Sequence, residues 1–350
     1  MTPQYNIHHP VARRLRWLLW IVPTAMLALL MPSCKGGSTG SSSSDTIALQ
    51  PAPQFSADSA MSYVQAQCDF GPRAPMTAAH ELCGAWIQRQ FSRFGAAVAT
   101  QHIEVTGFDS TAYTGTNIMA SINPEMTDRV LISAHYDSRL WADNDADAAH
   151  HHTPVMAAND GASGIAVMLE MARVMQQMPL AFGVDFVCFD LEDQGIPQWA
   201  DSDDDSDKAD PYNYWCMGSR KWAEQAYGHY HARYAVNLDM VGGRGAKFAM
   251  ESYSMQIARP VVDMIWHLAH QIGYGDYFPL TEGGAVMDDH VPLYQYAHIA
   301  ALDIVPHVEG QRSSFGSTWH TVNDTPANID PAVMKAVGQV LLQVIYNDNK

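Results

Sequence analysis

Five short polar segments carry the side chains that metal-assisted and acid–base chemistry uses. They are Ala134-His135-Tyr136-Asp137-Ser138, Asp160 before Gly161-Ala162-Ser163-Gly164, Asp190-Leu191-Glu192-Asp193, Asp239-Met240 and Trp319-His320-Thr321. Imidazole and carboxylate are zinc ligands, and a zinc with three protein ligands keeps a position open for water or a substrate carbonyl. Two carboxylates and one imidazole would neutralise a divalent ion and leave a mild Lewis acid. Glu192, beside Asp193 but turned the opposite way along the chain, suits a base that moves protons. Singly, each residue has a plainer explanation: a strand-end Asp is usually a turn or cap residue, and a lone His is usually only hydrogen-bonded. Recurrence in register is what argues for one shared site. The chain carries neither a Ser-His-Asp nor a Cys-His signature, and no Cys-x-x-Cys pair.

The elements that must position these residues are short apolar runs. Residues 129–133, 184–189, 233–238 and 299–305 read as strands that run into or precede the polar segments, and 98–106 and 117–122 read as two more. Residues 56–67, 77–94, 161–177, 256–272 and 331–346 read as helices. Strands alternating with helices predict a three-layer α/β/α sandwich with a mostly parallel central sheet. In such sheets ligands gather at the carboxyl ends of the strands, where the polar segments fall. No internal repeat is visible.

Composition narrows the partners. Of 350 residues, 47% are hydrophobic, enough for a sizeable core. Twenty Lys and Arg against 37 Asp and Glu give a net charge of −17, which excludes nucleic acid as a partner for want of basic surplus. Arg13, Arg14 and Arg16 precede an apolar stretch over residues 17–31, too short to span a bilayer comfortably but suited to a signal peptide. Cys34 follows, then a Gly/Ser-rich run, resembling a bacterial lipoprotein box with Cys34 as the lipidated residue. The expected organisation is a signal peptide over 1–33, a flexible tether over 34–54 and one catalytic domain over 55–350. The protein would be exported to the periplasm or cell surface, touching the membrane only through its lipid anchor. Cys188 lies in an apolar run and reads as a buried small hydrophobe; pairing among Cys68, Cys83 and Cys216 stays open. Residues 201–210, with six Asp, read as a solvated insertion, with calcium binding as the rival. His150-His151-His152, after Asp143, Asp145 and Asp147, read as an exposed loop.

Taken as an ordered series, AHYDS, NDGASG, DLED, LDMVG, DDHVPL and WHT resemble the zinc aminopeptidase and glutaminyl cyclase superfamily, from about Ser56 to the C-terminus. The turn Phe70-Gly71-Pro72-Arg73 matches as well. The resemblance implies one of two chemistries. In the aminopeptidase template, the positions of His135, Asp160, Asp193, Asp239 and His320 hold two zincs, with Glu192 as base. In the cyclase template, Asp160, Asp193 and His320 hold one zinc, while Glu192, Asp239 and Asp288 handle protons. Three details favour bacterial members of the animal-type cyclases: Trp319 directly before His320, the triplet Asp288-Asp289-His290, and Glu192-Asp193 in place of a Glu-Glu pair. Asp193 is a shorter ligand than the Glu of the animal enzymes.

The expectation is therefore a glutaminyl-peptide cyclotransferase with one zinc per chain, acting on peptides and proteins with N-terminal glutamine. The substrate's own α-amine closes a five-membered lactam and expels ammonia, so no protein nucleophile is required. Trp319, Phe315 and Trp199 are expected to wall the substrate pocket. Asp239 and Asp288 are expected to bind the amide nitrogen; packed carboxylates resist joint ionisation, so one of them would stay protonated. The alternative is a two-zinc aminopeptidase, and His135 is where the two readings differ. A catalytically dead peptide receptor would have lost a ligand or the base, and all these positions are filled.

Overall fold

Four strands of the central sheet are buried along their whole length, which is why they read as mainly apolar runs and not as alternating patterns. The computed structural model describes residues 48–200, 211–308 and 313–349. Its elements in chain order are α1 (Ala57–Cys68), α2 (Ala78–Arg93), β1 (Ala97–Thr106), β2 (Ala112–Ile122), β3 (Arg129–His135), α3 (Ala162–Met175) and β4 (Gly183–Phe189). Then follow α4 (Met217–Ala226), β5 (Ala235–Leu238), α5 (Ser252–Ile257), α6 (Arg259–Gln271), α7 (His290–Ala297), β6 (Ala301–Ile304) and α8 (Pro331–Asn347). The first two helices start on side-chain caps: Ser56 accepts from the Ser59 N–H and Thr77 from that of His80.

The sheet order is β1-β2-β4-β3-β5-β6. The last four strands run parallel, and β1 and β2 extend the sheet as an antiparallel hairpin beside β4. Side-chain alternation divides the core in two. Val130, Ile132, Ala134, Val184, Phe186 and Cys188 pack under α1, α2, α3, α6 and α8. Leu131, Val187, Phe189, Ala235 and Ala301 face the other way, against Trp222 and Ala223 of α4 and Leu293 and Ala297 of α7. Helices thus cover both faces, as the three-layer expectation requires.

The structure differs from the sequence reading at several places. The helix expected over 256–272 is two helices, broken at Ala258 (φ −136°), because Pro260 starts the second and has no N–H to continue the first. β2 begins at Ala112, earlier than the apolar signal, since its first half pairs only with β1. Helices α4 and α7 were not anticipated. Cys68, Cys83, Cys188 and Cys216 are all buried free thiols, with no disulfide among the described residues. No helix among the described residues is long and apolar enough to cross a membrane. The expected leader, Cys34 and the Asp-rich stretch 201–210 lie outside the described residues.

Candidate active site

Parallel strands end on one edge, and that edge brings the polar segments together. β3 ends on His135, β4 delivers Glu192 and Asp193, β5 delivers Asp239, and Asp160 enters from the turn that starts α3. Gly161 makes this turn at φ +82°; a Cβ there would lie 2.6 Å from the His135 carbonyl oxygen, so only glycine fits. Leu191, Met240 and His320 also hold left-handed backbone, at φ of 57°, 52° and 54°. Such positions cost free energy and persist where the surroundings impose them, as they do around functional side chains.

Three groups of ligand-type atoms result among the described residues, one of them Glu192, Cys216 and Asp288, and the other two share Asp160. Asp160, Asp193 and His320 each offer an atom within 4.8 Å of the others, as do His135, Asp160 and Asp239. His320 Nε2 lies 2.9 Å from Asp193 Oδ1 and 3.5 Å from Asp160 Oδ2. His135 Nε2 lies 3.0 Å from Asp160 Oδ1 and 3.2 Å from Asp239 Oδ1. The second oxygen of Asp193 is buried without a hydrogen-bond partner. A buried carboxylate oxygen with no partner, in a set of one imidazole and two carboxylates, fits a zinc ion as the missing neighbour.

The supports around these residues are themselves buried. Asp324 accepts from the backbone N–H of Asn159 (2.7 Å) and Asp160 (3.0 Å). Asp137 accepts from the N–H groups of Glu192 and Asp193 and from the Gln194 amide. Arg139 donates twice to Asp143 at 2.7 Å and once to the Asp193 carbonyl at 2.8 Å, and its guanidinium lies 4.8 Å from the Trp215 ring centroid. Trp215 is parallel to the His320 ring (6.0 Å, 7°), and Trp319 stacks closer on it (3.7 Å, 22°).

Beside the ligands sits a reservoir of acids. Burial pushes Glu192 well above the usual carboxylate range; His135 opposes this, while Asp193, Asp288 and Asp289 reinforce it. Cys216 donates its thiol to Glu192 Oε1 at 3.3 Å. Burial raises Asp239 to about 8, with Asp160 adding to the shift. Closely packed carboxylates in a buried site resist joint ionisation.

A cavity of about 270 Å³ opens onto this arrangement, lined by Asp160, Asp193, His320, Glu192, Asp239, Asp288, Trp319 and Phe315. Eight of the residues singled out in the sequence therefore share one pocket. Trp199 does not: it is 43% exposed and packs on Trp141, His151 and His152. The wall it was expected to supply is made by Trp215, with Tyr212 nearby. Trp199 follows the acidic pair in sequence, but a residue farther along the chain stands beside that pair in space. The Cys216 N–H donates to the Glu192 carbonyl and that of Met217 to the Leu191 carbonyl, bringing Trp215 back to the site. His135 is buried behind the pocket and is not among its lining residues.

This is an α/β metalloenzyme fold of the zinc-exopeptidase type, with its polar centre at the carboxyl edge of a mostly parallel sheet. Residues 117–345 match the model of peptidase family M28, and the chain belongs to that family. A crystal structure of the Bacteroides thetaiotaomicron glutaminyl cyclase bound to N-acetylhistamine is 40% identical, with a TM-score of 0.81, covering 85% of this chain and all of that one. A structure named as a leucine aminopeptidase precursor from Bacteroides thetaiotaomicron VPI-5482 is also 40% identical, with a TM-score of 0.80, covering 86% of this chain and all of that one. Among curated relatives, the glutaminyl-peptide cyclotransferase-like protein of Bos taurus is 24% identical over 272 residues, 69% of this chain and 63% of that protein. The chain spans less than two thirds of the length of the first curated relatives it matches, 42% of one and 63% of another.

Proposed function

We propose that this chain is a glutaminyl-peptide cyclotransferase that holds one zinc through Asp160, Asp193 and His320. The observation that carries the reading is the make-up of the cavity. Three acids outside that ligand set, Glu192, Asp239 and Asp288, face aromatic walls of Trp319, Trp215 and Phe315 in about 270 Å³. Such a space suits one side chain and its amide better than a length of peptide. The likeness to solved bacterial glutaminyl cyclases over most of the chain supports it.

Bound at these ligands, zinc supplies Lewis acidity toward a substrate carbonyl oxygen. The protein's own residues account for the proton traffic. Glu192, held by Cys216, takes a proton from the substrate's α-ammonium. The freed amine attacks the side-chain amide carbon (Cδ) of the N-terminal glutamine, a C–N bond forms, and the five-membered lactam ring closes. Glu192 then returns the proton to the departing nitrogen as the Cδ–Nε2 bond breaks and ammonia leaves, and it takes up the second proton of the ring nitrogen, which passes on to the ammonia or to solvent. Asp239 and Asp288 line the same pocket and hydrogen-bond the amide nitrogen. The aromatic walls keep water away from the reacting carbon, favouring cyclisation over hydrolysis. Metal analysis of the purified chain should find one tightly held zinc; two tightly held and functionally required zincs would overturn this reading.

One observation favours a second reading, a two-zinc aminopeptidase. His135 Nε2 stands within 3.2 Å of both Asp160 and Asp239, and Asp160 belongs to both ligand groups. Release of free leucine from leucyl peptides at saturating zinc is its test.

The proposal extends to place. The basic segment at Arg13–Arg16, the apolar stretch after it and Cys34 support export with a lipid anchor, although these residues lie outside those described. Fractionation of wild type and Cys34→Ser checks this: both in the soluble fraction would sink the anchor, and full-length chain retained in the cytoplasm would sink export.

A further inference from the structure

A second cavity, of about 350 Å³, adjoins the first and plays no part in the chemistry above. Phe315 lines both. Asn159 and Thr318 line the second, and their chain neighbours Asp160 and Trp319 line the first. The two hollows are therefore successive stations along one surface. Part of the second wall is the backbone of Gly243-Arg244-Gly245. A Cβ at Gly243 would lie 2.9 Å from the Asn159 amide nitrogen, and Gly245 sits at φ +78°, so glycines keep this wall low.

Arg244 is the charged residue of that wall among the described residues, and it is exposed. Its position is nonetheless set. Its N–H donates to the Asn328 carbonyl at 3.1 Å, and its Nη2 donates to the Ala327 carbonyl at 3.2 Å. Both partners are neutral, and among the described residues no carboxylate pairs with its charge. In a chain with 37 acidic and 20 basic residues, this arginine sets a positive charge on the lip of a cavity beside an acidic site. An arginine fork is suited to a planar carboxylate.

We infer that the second cavity receives the residues that follow the N-terminal glutamine, and that Arg244 selects substrates with a carboxylate there. This rests on the cyclase reading. The carboxylate can come from an Asp or Glu side chain or from the free C-terminus of a short peptide. Each extended residue advances the chain about 3.3–3.6 Å, so side-chain carboxylates at the second and third positions are the ones to compare.

The test is steady-state cyclisation of C-terminally amidated peptides: Gln-Glu-Ala, Gln-Ala-Glu, and the same pairs with Gln or Lys in place of Glu. Free-acid and amidated Gln-Ala separate the C-terminal source from the side-chain source. Wild type should prefer the acidic peptide over its Lys counterpart about 3- to 10-fold in kcat/KM, chiefly through KM and less so at high salt. Arg244→Gln should abolish the ratio and Arg244→Glu should invert it. Equal kcat/KM across the set in wild type, or a preference that survives Arg244→Gln, would overturn the inference while leaving the cyclase reading in place. Failure to cyclise any of the peptides would overturn both.

Discussion

Asp143 places Oδ1 3.4 Å from His320 Nδ1, while the other ring nitrogen of His320 faces Asp193 at 2.9 Å. The imidazole is thus held between a supporting carboxylate and the ligand cluster. Asp143 is itself immobilised: burial would raise its carboxyl, but the two hydrogen bonds from Arg139 and the contact with His320 hold it well below the usual carboxylate range. A ligand histidine oriented through its second nitrogen keeps one tautomer and a fixed ring plane.

Asp143→Asn should therefore weaken zinc binding about 10- to 100-fold without removing a ligand. Competition with a chromophoric chelator reads this directly. Unchanged zinc affinity in the variant would show that Trp215 and Trp319 alone hold the ring.

Glu192→Gln preserves shape, keeps the backbone bonds to Asp137 and leaves Asp193 free to bind metal. Turnover on a glutaminyl peptide should fall about 10²- to 10⁴-fold with zinc content retained, the usual value of a positioned acid–base group. Near-normal turnover would take Glu192 out of the mechanism.

Gly195→Ala replaces no ligand, although Gly195 follows Asp193 by two residues. Its new Cβ would lie 1.8 Å from Trp215 Cε2, so the indole must leave its place over Arg139 and beside His320. Overpacking of this kind costs about 1–3 kcal/mol. The expected signs are a lower denaturation midpoint, altered tryptophan fluorescence and reduced catalytic efficiency. A variant with wild-type fluorescence and stability would mean that Trp215 is not packed as described.

Stability should depend on acid through Glu251. Burial would raise this carboxyl, but His290 at 3.3 Å and the N–H groups of Ser254 and Tyr253 outweigh it and hold it at about 2. Glu251 also accepts from the Val286 N–H, tying down a loop residue that lines the active-site cavity. The ordinary glutamate value is about 4.3, so the folded state binds this proton more weakly than the unfolded state. The stabilisation is therefore present in full above about pH 5 and is lost as pH falls toward 2. Glu251→Gln should lower stability by about 1–3 kcal/mol at neutral pH and flatten the acid limb of a denaturant-midpoint profile. An acid limb of unchanged slope would contradict this assignment.

Much of the fold was legible because burial on both faces leaves a plain mark: β3 and β4 are buried along their length and mostly apolar, and their polar successors stand where a parallel sheet gathers its site. Asp160, Glu192, Asp193, Asp239, Asp288 and His320 could be named on that ground together with the motif series. Trp215 could not, because only the return of the chain along residues 191–192 brings it in. Asp143 was one acid among three in a segment read as an exposed loop, yet it is 1% exposed and pinned by Arg139. The local sequence does not distinguish it from Asp147, which merely caps a short turn. Helix α7 was hidden for a similar reason: it is short, and its first residue lies in the acidic triplet that resembled a site motif.

The central claim is the reaction itself, and one competition assay addresses it. The zinc-loaded chain is incubated with equal amounts of a Gln-initiated and a Leu-initiated peptide, and the products are followed by mass spectrometry. The account predicts that the Gln peptide loses ammonia and keeps all its residues, while the Leu peptide stays intact. Free leucine released at a comparable rate, with the Gln peptide shortened instead of cyclised, would contradict it and return the site to the two-metal aminopeptidase reading.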